Sequence, residues 1–376
     1  MDRTKRKLTF AELSAVKTKK LQNKTIQSIT SIENLCDELF YEIFDYLYVN
    51  NIYQAFSNLN YRFEQILHAS WPLLHYICYH TTSEISSVND SYKQFLAHNK
   101  HKIVSLHLYF YSSTNDLFQF ITIDASFSCL ESILINENRN DGSLIILLLR
   151  HLVCLPRLFF LSICTGKLND PDNLFQLIFA LSQLKSCRFT YFSERDIALP
   201  IATRKQHSTI ETLALYTVDT WNEILTLTSY TSNLRRLITP CGMDRDIDIE
   251  TLLPLRLSNL TYLRTCFNYL NFHEFEIFIK KIYSPLKILH VEFLVEDVNF
   301  RDSDCWENLI LTSLSHLEEL YLIYKERFPP SDDLIFSGKL NPFSSPFWID
   351  RRWFFEVETD INFVNYIVRP YRYVEI

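Results

Sequence analysis

The feature that most constrains the fold is an apolar pattern that repeats from residue 103 onward. Each copy has an aliphatic residue, two others, an apolar residue, one other, and usually a third apolar residue. The first positions of the nine copies are Ile103, Leu130, Leu155, Leu184, Ile210, Leu234, Leu260, Leu286 and Leu317. The second positions are Leu106, Ile133, Leu158, Cys187, Leu213, Leu237, Leu263, Leu289 and Leu320. Such a regular period indicates a stack of similar units.

Helical stretches separate the repeated strands. They fall at 144–153, 173–182, 222–229 and 272–282. A unit of one strand and one helix cannot bury its own apolar face, so neighbouring units must stack. The spacing therefore predicts an α/β fold at 103–330, a curved solenoid with a parallel sheet inside. An ordinary α/β domain is the alternative.

The repeat resembles the leucine-rich repeat. The resemblance covers about 220 residues and is loose, because the asparagine often found after the strand occurs only at Asn138 and Asn268. Two of the nine third apolar positions hold threonine, Thr239 and Thr265. What supports the resemblance is the near-constant period over the whole stretch.

A second informative stretch, residues 35–63, places apolar residues at helical spacing. Asp37 and Glu38 favour the start of a first helix, and Asn50 and Asn51 are expected to cap a second. The apolar positions are Leu39, Phe40, Ile43, Phe44 and Leu47, then Ile52, Ala55, Phe56 and Leu59, then Phe63, Ile66 and Leu67. Three short helices bury little surface, so such a unit tends to need a partner.

This stretch resembles an F-box, a motif that docks on a Skp-type adaptor of a cullin–RING ubiquitin ligase. The matching residues are Leu35-Cys36-Asp37-Glu38-Leu39, Ile43-Phe44, Leu47, Ile52, Ala55-Phe56, Asn60 and Phe63. The resemblance implies adaptor contacts by Leu35, Cys36, Leu39, Phe40, Ile43, Phe44, Leu47 and Phe56. Cys36 departs from the family, which usually has proline there, so the docking loop is expected to be less rigid. The alternative is a three-helix element without a partner.

In a leucine-rich repeat, the residues beside each second apolar position face the concave side, because side chains alternate along a strand. This register predicts a target-binding face that contains Arg157, Arg188, Arg236, Arg264, Tyr216, Tyr262 and His290, together with His107, Tyr109 and Tyr321. Several guanidinium groups on one face suit an acidic or phosphorylated segment of a target protein. A solvated sheet face that holds arginine by chance is the alternative.

The remaining segments complete the predicted domain organisation. Residues 1–30 carry eight basic and two acidic residues and are expected to form a mobile basic tail, which either is a solvated arm or acts in nuclear import or on an acidic surface. The F-box is expected at 31–80, and a linker with a short helix at 81–102. Residues 331–376 are aromatic and are expected to cap the solenoid or to fold back into its concave face.

Composition argues against several classes of function. Four glycines in 376 residues argue against a nucleotide-binding loop, and the net charge of −7 gives no reason to expect nucleic acid. Residues 143–164 could span a bilayer in length, but Arg150 and Arg157 make a buried helix and strand the better interpretation. No catalytic, metal or cofactor motif is found. The nine scattered cysteines suggest reduced thiols in the cytoplasm or nucleus.

The sequence therefore predicts a non-enzymatic substrate receptor. The F-box would bind the Skp-type adaptor, and the solenoid would hold a target protein near the ubiquitin-conjugating machinery. Two alternatives belong to other classes of function. One is a solenoid scaffold or inhibitor whose F-box does not dock. The departure from the family's proline at Cys36 is the reason to consider it. The other is an enzyme without a recognised motif.

Overall fold

The computed structural model describes residues 32–68, 74–80, 90–110, 123–137, 142–192, 197, 199–202, 208–216, 220–239, 255–268, 270–294, 297–327 and 341–370. The predicted basic tail, residues 1–30, lies outside them. The chain divides into two compact units at Pro72 and Leu73.

The first unit has three short helices after a 3-10 turn at Ile32–Asn34. They are α1 (Asp37–Phe44), α2 (Val49–Phe56) and α3 (Tyr61–His68). Their buried faces meet in an aromatic cluster, in which the Phe40 ring lies 5.0 Å from Phe63 and 5.8 Å from Phe56, both edge to face. Phe44 completes it, 5.2 Å from Phe56. Burial of these four rings, at about 1.5–3 kcal/mol each, is the main stabilisation of so small a unit.

Local capping in this unit differs from the prediction. Helix α2 begins at Val49 with Tyr48 as its N-cap, so Asn50 and Asn51 lie inside the first turn and do not cap it. Asn60 does cap a helix, since its Oδ1 accepts from the backbone N–H of Phe63 at 3.2 Å. Ile52 and Phe56 turn inward, whereas Ala55 and Leu59, predicted on the same face, are exposed.

The second unit is built on a large sheet. Its strands are β1 (Leu74–His80), β2 (Ile103–Phe110), β3 (Ser132–Glu137), β4 (Phe160–Lys167), β5 (Ser186–Phe192), β6 (Thr212–Leu215), β7 (Arg236–Ile238), β9 (Tyr262–Phe267), β11 (Ile288–Phe293), β12 (Glu319–Arg327), β13 (Trp353–Thr359) and β14 (Phe363–Pro370). Strands β8 (Leu255–Arg256) and β10 (Ile282–Tyr283) form a separate parallel pair. Within the described residues the spatial order of the large sheet is β1-β2-β3-β4-β5-β6-β7-β9-β11-β12-β14-β13.

Among the described strands of this sheet, the pairing is parallel from β1 through β12, and only the β12–β14 and β14–β13 pairs are antiparallel. Parallel neighbours joined by helical crossovers define an α/β architecture. The prediction of a mixed α/β fold with a large, mostly parallel sheet is confirmed.

One buried row runs across the sheet and aligns the repeats. Its paired members are Leu106, Ile133, Leu161, Cys187, Leu213, Leu237, Leu263, Leu289 and Leu320. None is more than 1% exposed. Eight are the predicted second apolar positions. The exception is the third copy, where Leu161 replaces Leu158, so its predicted strand register was wrong by three residues.

The helices between these strands are α4 (Asp90–Asn99), α5 (Ser143–Leu152), α6 (Pro171–Phe179), α7 (Trp221–Ser229), α8 (Phe272–Lys281), α9 (Ser303–Ser313) and α10 (Pro346–Asp350). Several begin at strong caps. In α7, Thr220 Oγ1 accepts from the N–H of Glu223, whose carboxylate accepts from the Thr220 N–H. Such reciprocal capping satisfies two backbone donors and fixes where the helix starts. Each described helix is too short or too polar to cross a membrane.

An aromatic core fills the space between the sheet and the helices in the later repeats. Phe267 of β9 stacks on Phe293 of β11, with ring centroids 5.6 Å apart. Phe275 of α8 meets Phe293 edge to face at 5.1 Å, and Trp306 of α9 is 5.5 Å from Phe275. The Trp306 indole N–H donates to the carbonyl of Phe300 at 3.0 Å, so the buried ring leaves no unpaired donor.

The segments at the two ends of the sheet differ from the predicted domain limits. Residues 74–80, predicted within the F-box, form β1 and pair with β2. At the other end, β14 pairs with β12, and β13 pairs with β14. The described part of the predicted capping segment, residues 341–370, thus extends the sheet rather than folding back over its face.

A polar cluster fastens this terminal hairpin to the last repeat. Arg301 Nη1 donates to Glu326 Oε2 at 2.9 Å and to the Tyr366 hydroxyl at 3.2 Å, and that hydroxyl donates to Glu326 at 3.0 Å. Burial, above all, raises the pKa of Tyr324 beside this cluster to about 12. The Tyr324 phenol therefore stays neutral at any physiological pH.

Candidate interaction surfaces

The three-helix unit combines a closed aromatic core with an apolar exterior. Phe40, Phe44 and Phe56 were predicted as adaptor contacts, but they are at most 8% exposed and pack on one another. Of the other predicted contacts, Cys36 and Leu39 are exposed, and Leu35, Ile43 and Leu47 are half-buried. The large apolar side chains left at the surface are Ile32, Leu39, Tyr46, Leu59 and Tyr61, exposed by 41% to 90%.

Arg62 on α3 fastens the segment that leads into α1. Its Nε donates to Asp37 Oδ1 at 3.0 Å, while Nη1 and Nη2 donate to the carbonyls of Glu33 and Leu35, each at 2.5 Å. The guanidinium carbon also lies 5.6 Å from the centroid of the Phe40 ring. One side chain thus holds three points of the segment through the planar fork that only arginine provides. No local sequence pattern marks Arg62 for this role, because its partners lie 25 to 29 residues earlier in the chain.

Cys36 is the N-cap of α1, with φ −73° and ψ 162°. That φ lies within the range that a proline ring imposes. Among the described residues no hydrogen bond uses the Cys36 backbone N–H. The Cys36 thiol contributes, after the backbone N–H of Glu38, to lowering the pKa of the Glu38 carboxyl. The backbone at residue 36 therefore accommodates the proline that the F-box family usually has there.

The sheet of the second unit has a face opposite the buried row, which we call the open face. Its central row follows the pairing across the sheet: His107, Leu134, Ser162, Arg188, Ala214, Ile238, Arg264, His290 and Tyr321. Leu134, Ser162 and Ala214 give one half of the row a small or apolar character. Charged and aromatic groups concentrate instead on β7, β9, β11 and β12.

Four flat side chains form a stack across those strands. The Arg236 guanidinium carbon lies 4.1 Å from the centroid of the Tyr262 ring. Tyr262 and His290 have centroids 5.2 Å apart, and His290 stacks on Tyr321 at 3.9 Å with an interplanar angle of 8°. The Tyr321 hydroxyl donates to Glu319 Oε2 at 3.0 Å. The stack holds the His290 ring in a fixed orientation between two aromatic neighbours.

Arg264 is the cross-strand partner of His290. Burial, together with the positive charges of Arg264 and Arg236, lowers the pKa of His290 to about 4. The imidazole is thus neutral at physiological pH and offers one ring N–H as a donor.

The carboxylates near this group already have partners. Glu292 lies two residues beyond His290 and forms an ion pair with Lys325 at 2.5 Å. Glu319 accepts from Tyr321, as described above. Within the described residues neither Arg236 nor Arg264 forms an ion pair, and both side chains are exposed. Among the described residues of the open face, two guanidinium groups on adjacent strands therefore have no carboxylate partner.

The other predicted target contacts fall elsewhere. Arg157 lies in the turn before β4, exposed, 3.9 Å from the Cys129 sulfur, so its assignment to the strand was wrong. Arg188 is exposed on β5, three strand spacings from Arg264, or roughly 14 Å. Tyr216 follows the last residue of β6 and is 41% exposed. His107 and Tyr109 lie on β2, towards the opposite end of the sheet.

The described residues contain no group of three His, Cys, Asp or Glu side chains that could hold a metal ion. The seven described cysteines carry free thiols, and burial raises the pKa of Cys187 to about 12, which removes its nucleophilic character. No family model matches the chain, and no curated protein matches its sequence.

Proposed function

We propose that this protein is a substrate-recognition subunit of a Skp–cullin–F-box ubiquitin ligase that acts in the cytoplasm or nucleus. The observation that carries the proposal is the pairing, in one chain, of a three-helix unit with exposed apolar residues and a separate repeat sheet. The first would bind the Skp-type adaptor, and the second would bind the target.

The adaptor side of the proposal rests on the exterior of the first unit. Leu39 lies on α1 and is 41% exposed, although its neighbour Phe40 is fully buried. An apolar side chain that the unit itself does not cover gains the most from burial against a partner. Arg62 holds the segment before α1, so docking would order less of the chain at the moment of binding.

The target side of the proposal rests on the open face of the repeat sheet. The apolar repeat that forms this sheet resembles the leucine-rich repeat. A receptor of this kind forms or breaks no bond. It raises the effective concentration of the target near the ubiquitin-conjugating enzyme, and this proximity accelerates transfer.

A second candidate function is a repeat scaffold or inhibitor that does not engage a ligase. Cys36 favours this candidate, because the position usually holds proline in F-boxes and cysteine leaves the docking segment more conformational freedom when unbound. The two candidates differ in whether the adaptor accompanies the protein.

Affinity purification of the full chain from cells, with and without proteasome inhibition, tests the proposal. A substrate receptor retains a Skp-type adaptor and a cullin under both conditions, and accumulates its target when the proteasome is inhibited. Retention of other proteins without adaptor or cullin would favour the scaffold.

A further inference from the structure

In the later repeats the open face carries two arginines that form no ion pair with any described residue. Arg236 of β7 is the cross-strand partner of Tyr262, and Arg264 of β9 is two residues further along, paired with Ile238. The two arginines therefore lie on the same face of neighbouring strands, which are spaced about 4.8 Å apart, and are offset by two residues along the strand direction. Stacking on Tyr262 engages the flat face of Arg236 but leaves the N–H groups at its edge available.

His290 supplies a third donor on the next strand. It lies directly opposite Arg264 and is held between Tyr262 and Tyr321. Because the aromatic stack fixes its ring in advance, little conformational entropy is lost when a ligand binds. The three donor side chains thus lie on one face of the neighbouring strands β7, β9 and β11, and the stack holds two of them, Arg236 and His290, in place.

From this geometry we infer that Arg236, Arg264 and His290 bind a phosphate group on a serine or threonine of the target protein. The inference rests on the proposed role as a target receptor. The charge decides in favour of phosphate. A phosphorylated side chain carries about −1.5 to −2 at neutral pH, which matches two guanidinium groups, whereas one carboxylate matches only one.

Among the described residues, no carboxylate oxygen lies within 4.0 Å of the guanidinium nitrogens of Arg236 or Arg264. The nearby Glu292 is paired with Lys325, and Glu319 accepts from Tyr321. Binding at Arg188 would require a separate anion, since Arg188 lies about 14 Å from Arg264 along the sheet. Arg188 therefore serves as a matched control: an exposed arginine on the same face, outside the site.

A binding assay with the full chain tests the inference. The probes are fluorescent peptide libraries of degenerate sequence with a fixed central phosphoserine, glutamate or serine, measured by polarisation. We expect the phosphoserine library to bind at least about tenfold more tightly than the other two. Arg236→Ala with Arg264→Ala should remove that preference, because two charge-assisted contacts are lost. Arg188→Ala should retain it.

One further variant and a competition experiment test for misfolding and packing effects. His290→Phe keeps the aromatic stack and removes the ring N–H, so it should weaken phosphopeptide binding several-fold with unchanged thermal unfolding. Inorganic phosphate should compete at millimolar concentration. Three results would each overturn the inference. They are equal binding of the three libraries, a loss of the phosphoserine preference in Arg188→Ala as large as in the double variant, and tighter binding of random-sequence RNA than of the phosphoserine library.

The outcome is separable from that of the proposed function. Phosphopeptide binding without adaptor binding would leave the site in place and refute the ligase role. Adaptor binding by a chain that does not distinguish phosphoserine from serine would support the ligase role and refute the phosphate site.

Discussion

Replacement of Arg62 by alanine removes four interactions that hold the segment before α1. The pair with Asp37 joins side chains that are 37% and 48% exposed, so it contributes only about 0.5 kcal/mol. The hydrogen bonds to the carbonyls of Glu33 and Leu35 contribute roughly 0.5–1.5 kcal/mol each. The contact with the Phe40 ring adds about 0.5 kcal/mol. We therefore expect a loss of about 2–4 kcal/mol in the local stability of this segment.

Native-state hydrogen exchange on the full chain measures that loss. Amides of residues 35–45 should exchange roughly 25- to 700-fold faster in Arg62→Ala, since each 1.4 kcal/mol is a factor of ten. Amides in the second unit should be unchanged. Arg62→Lys keeps the charge but not the planar fork and should be intermediate.

Adding Cys36→Pro to Arg62→Ala should restore part of the lost stability of the segment before α1. Proline fits the observed φ of −73° and restricts the unbound chain, so it should restore about 0.5 kcal/mol or more. Exchange in Arg62→Ala within twofold of the parent protein would refute the assignment of Arg62 as the residue that fastens the segment.

Three other outcomes follow from the second unit. Gly142→Ala should destabilise the protein by roughly 1–3 kcal/mol and lower its urea midpoint, since φ is +66° and a Cβ would lie 2.5 Å from Leu168 Cδ1. Arg264→Ala should raise the pKa of His290 from about 4, as measured by NMR titration, because a nearby positive charge that disfavours the imidazolium is removed. Tyr366→Phe should cost about 1–2 kcal/mol and speed proteolysis of the terminal hairpin, because the hydroxyl bonds to both members of an ion pair.

The repeat was readable from sequence because each strand places an apolar residue at the same point of the buried row. The strand register was predicted wrongly only in the third copy, where two overlapping stretches both match the apolar repeat. Leu155 and Leu158 satisfy the spacing, but so do Leu158, Leu161 and Ile163. The second match is the strand, since Leu161 pairs with both neighbouring strands. A local pattern cannot choose between two such registers, whereas the neighbouring strands can.

Side-chain direction within the three helices was harder to predict. A wide apolar stripe marks α1, but it does not tell which members face the other helices. Phe40 and Phe44 pack inward, while Leu39 remains exposed. Arg62 left no signal at all, because its partners lie 25 to 29 residues earlier in the chain. Similarly, the position of Arg157 outside the open face and the placement of Arg236 and Arg264 on adjacent strands depend on strand order and register, which the sequence pattern alone does not give.

Binding of a purified Skp-type adaptor to the 376-residue chain tests the proposed ligase role. The comparison uses Leu39→Asp, which places a charge at an exposed position of α1, and Leu311→Asp, an equivalent change at a 57% exposed leucine of the second unit. Burial of an unpaired carboxylate costs several kcal/mol, so calorimetry should show binding by the parent protein and Leu311→Asp and none by Leu39→Asp. Absence of binding by the parent protein, or equal affinity in all three proteins, would contradict adaptor docking through Leu39 and with it the proposed ligase role.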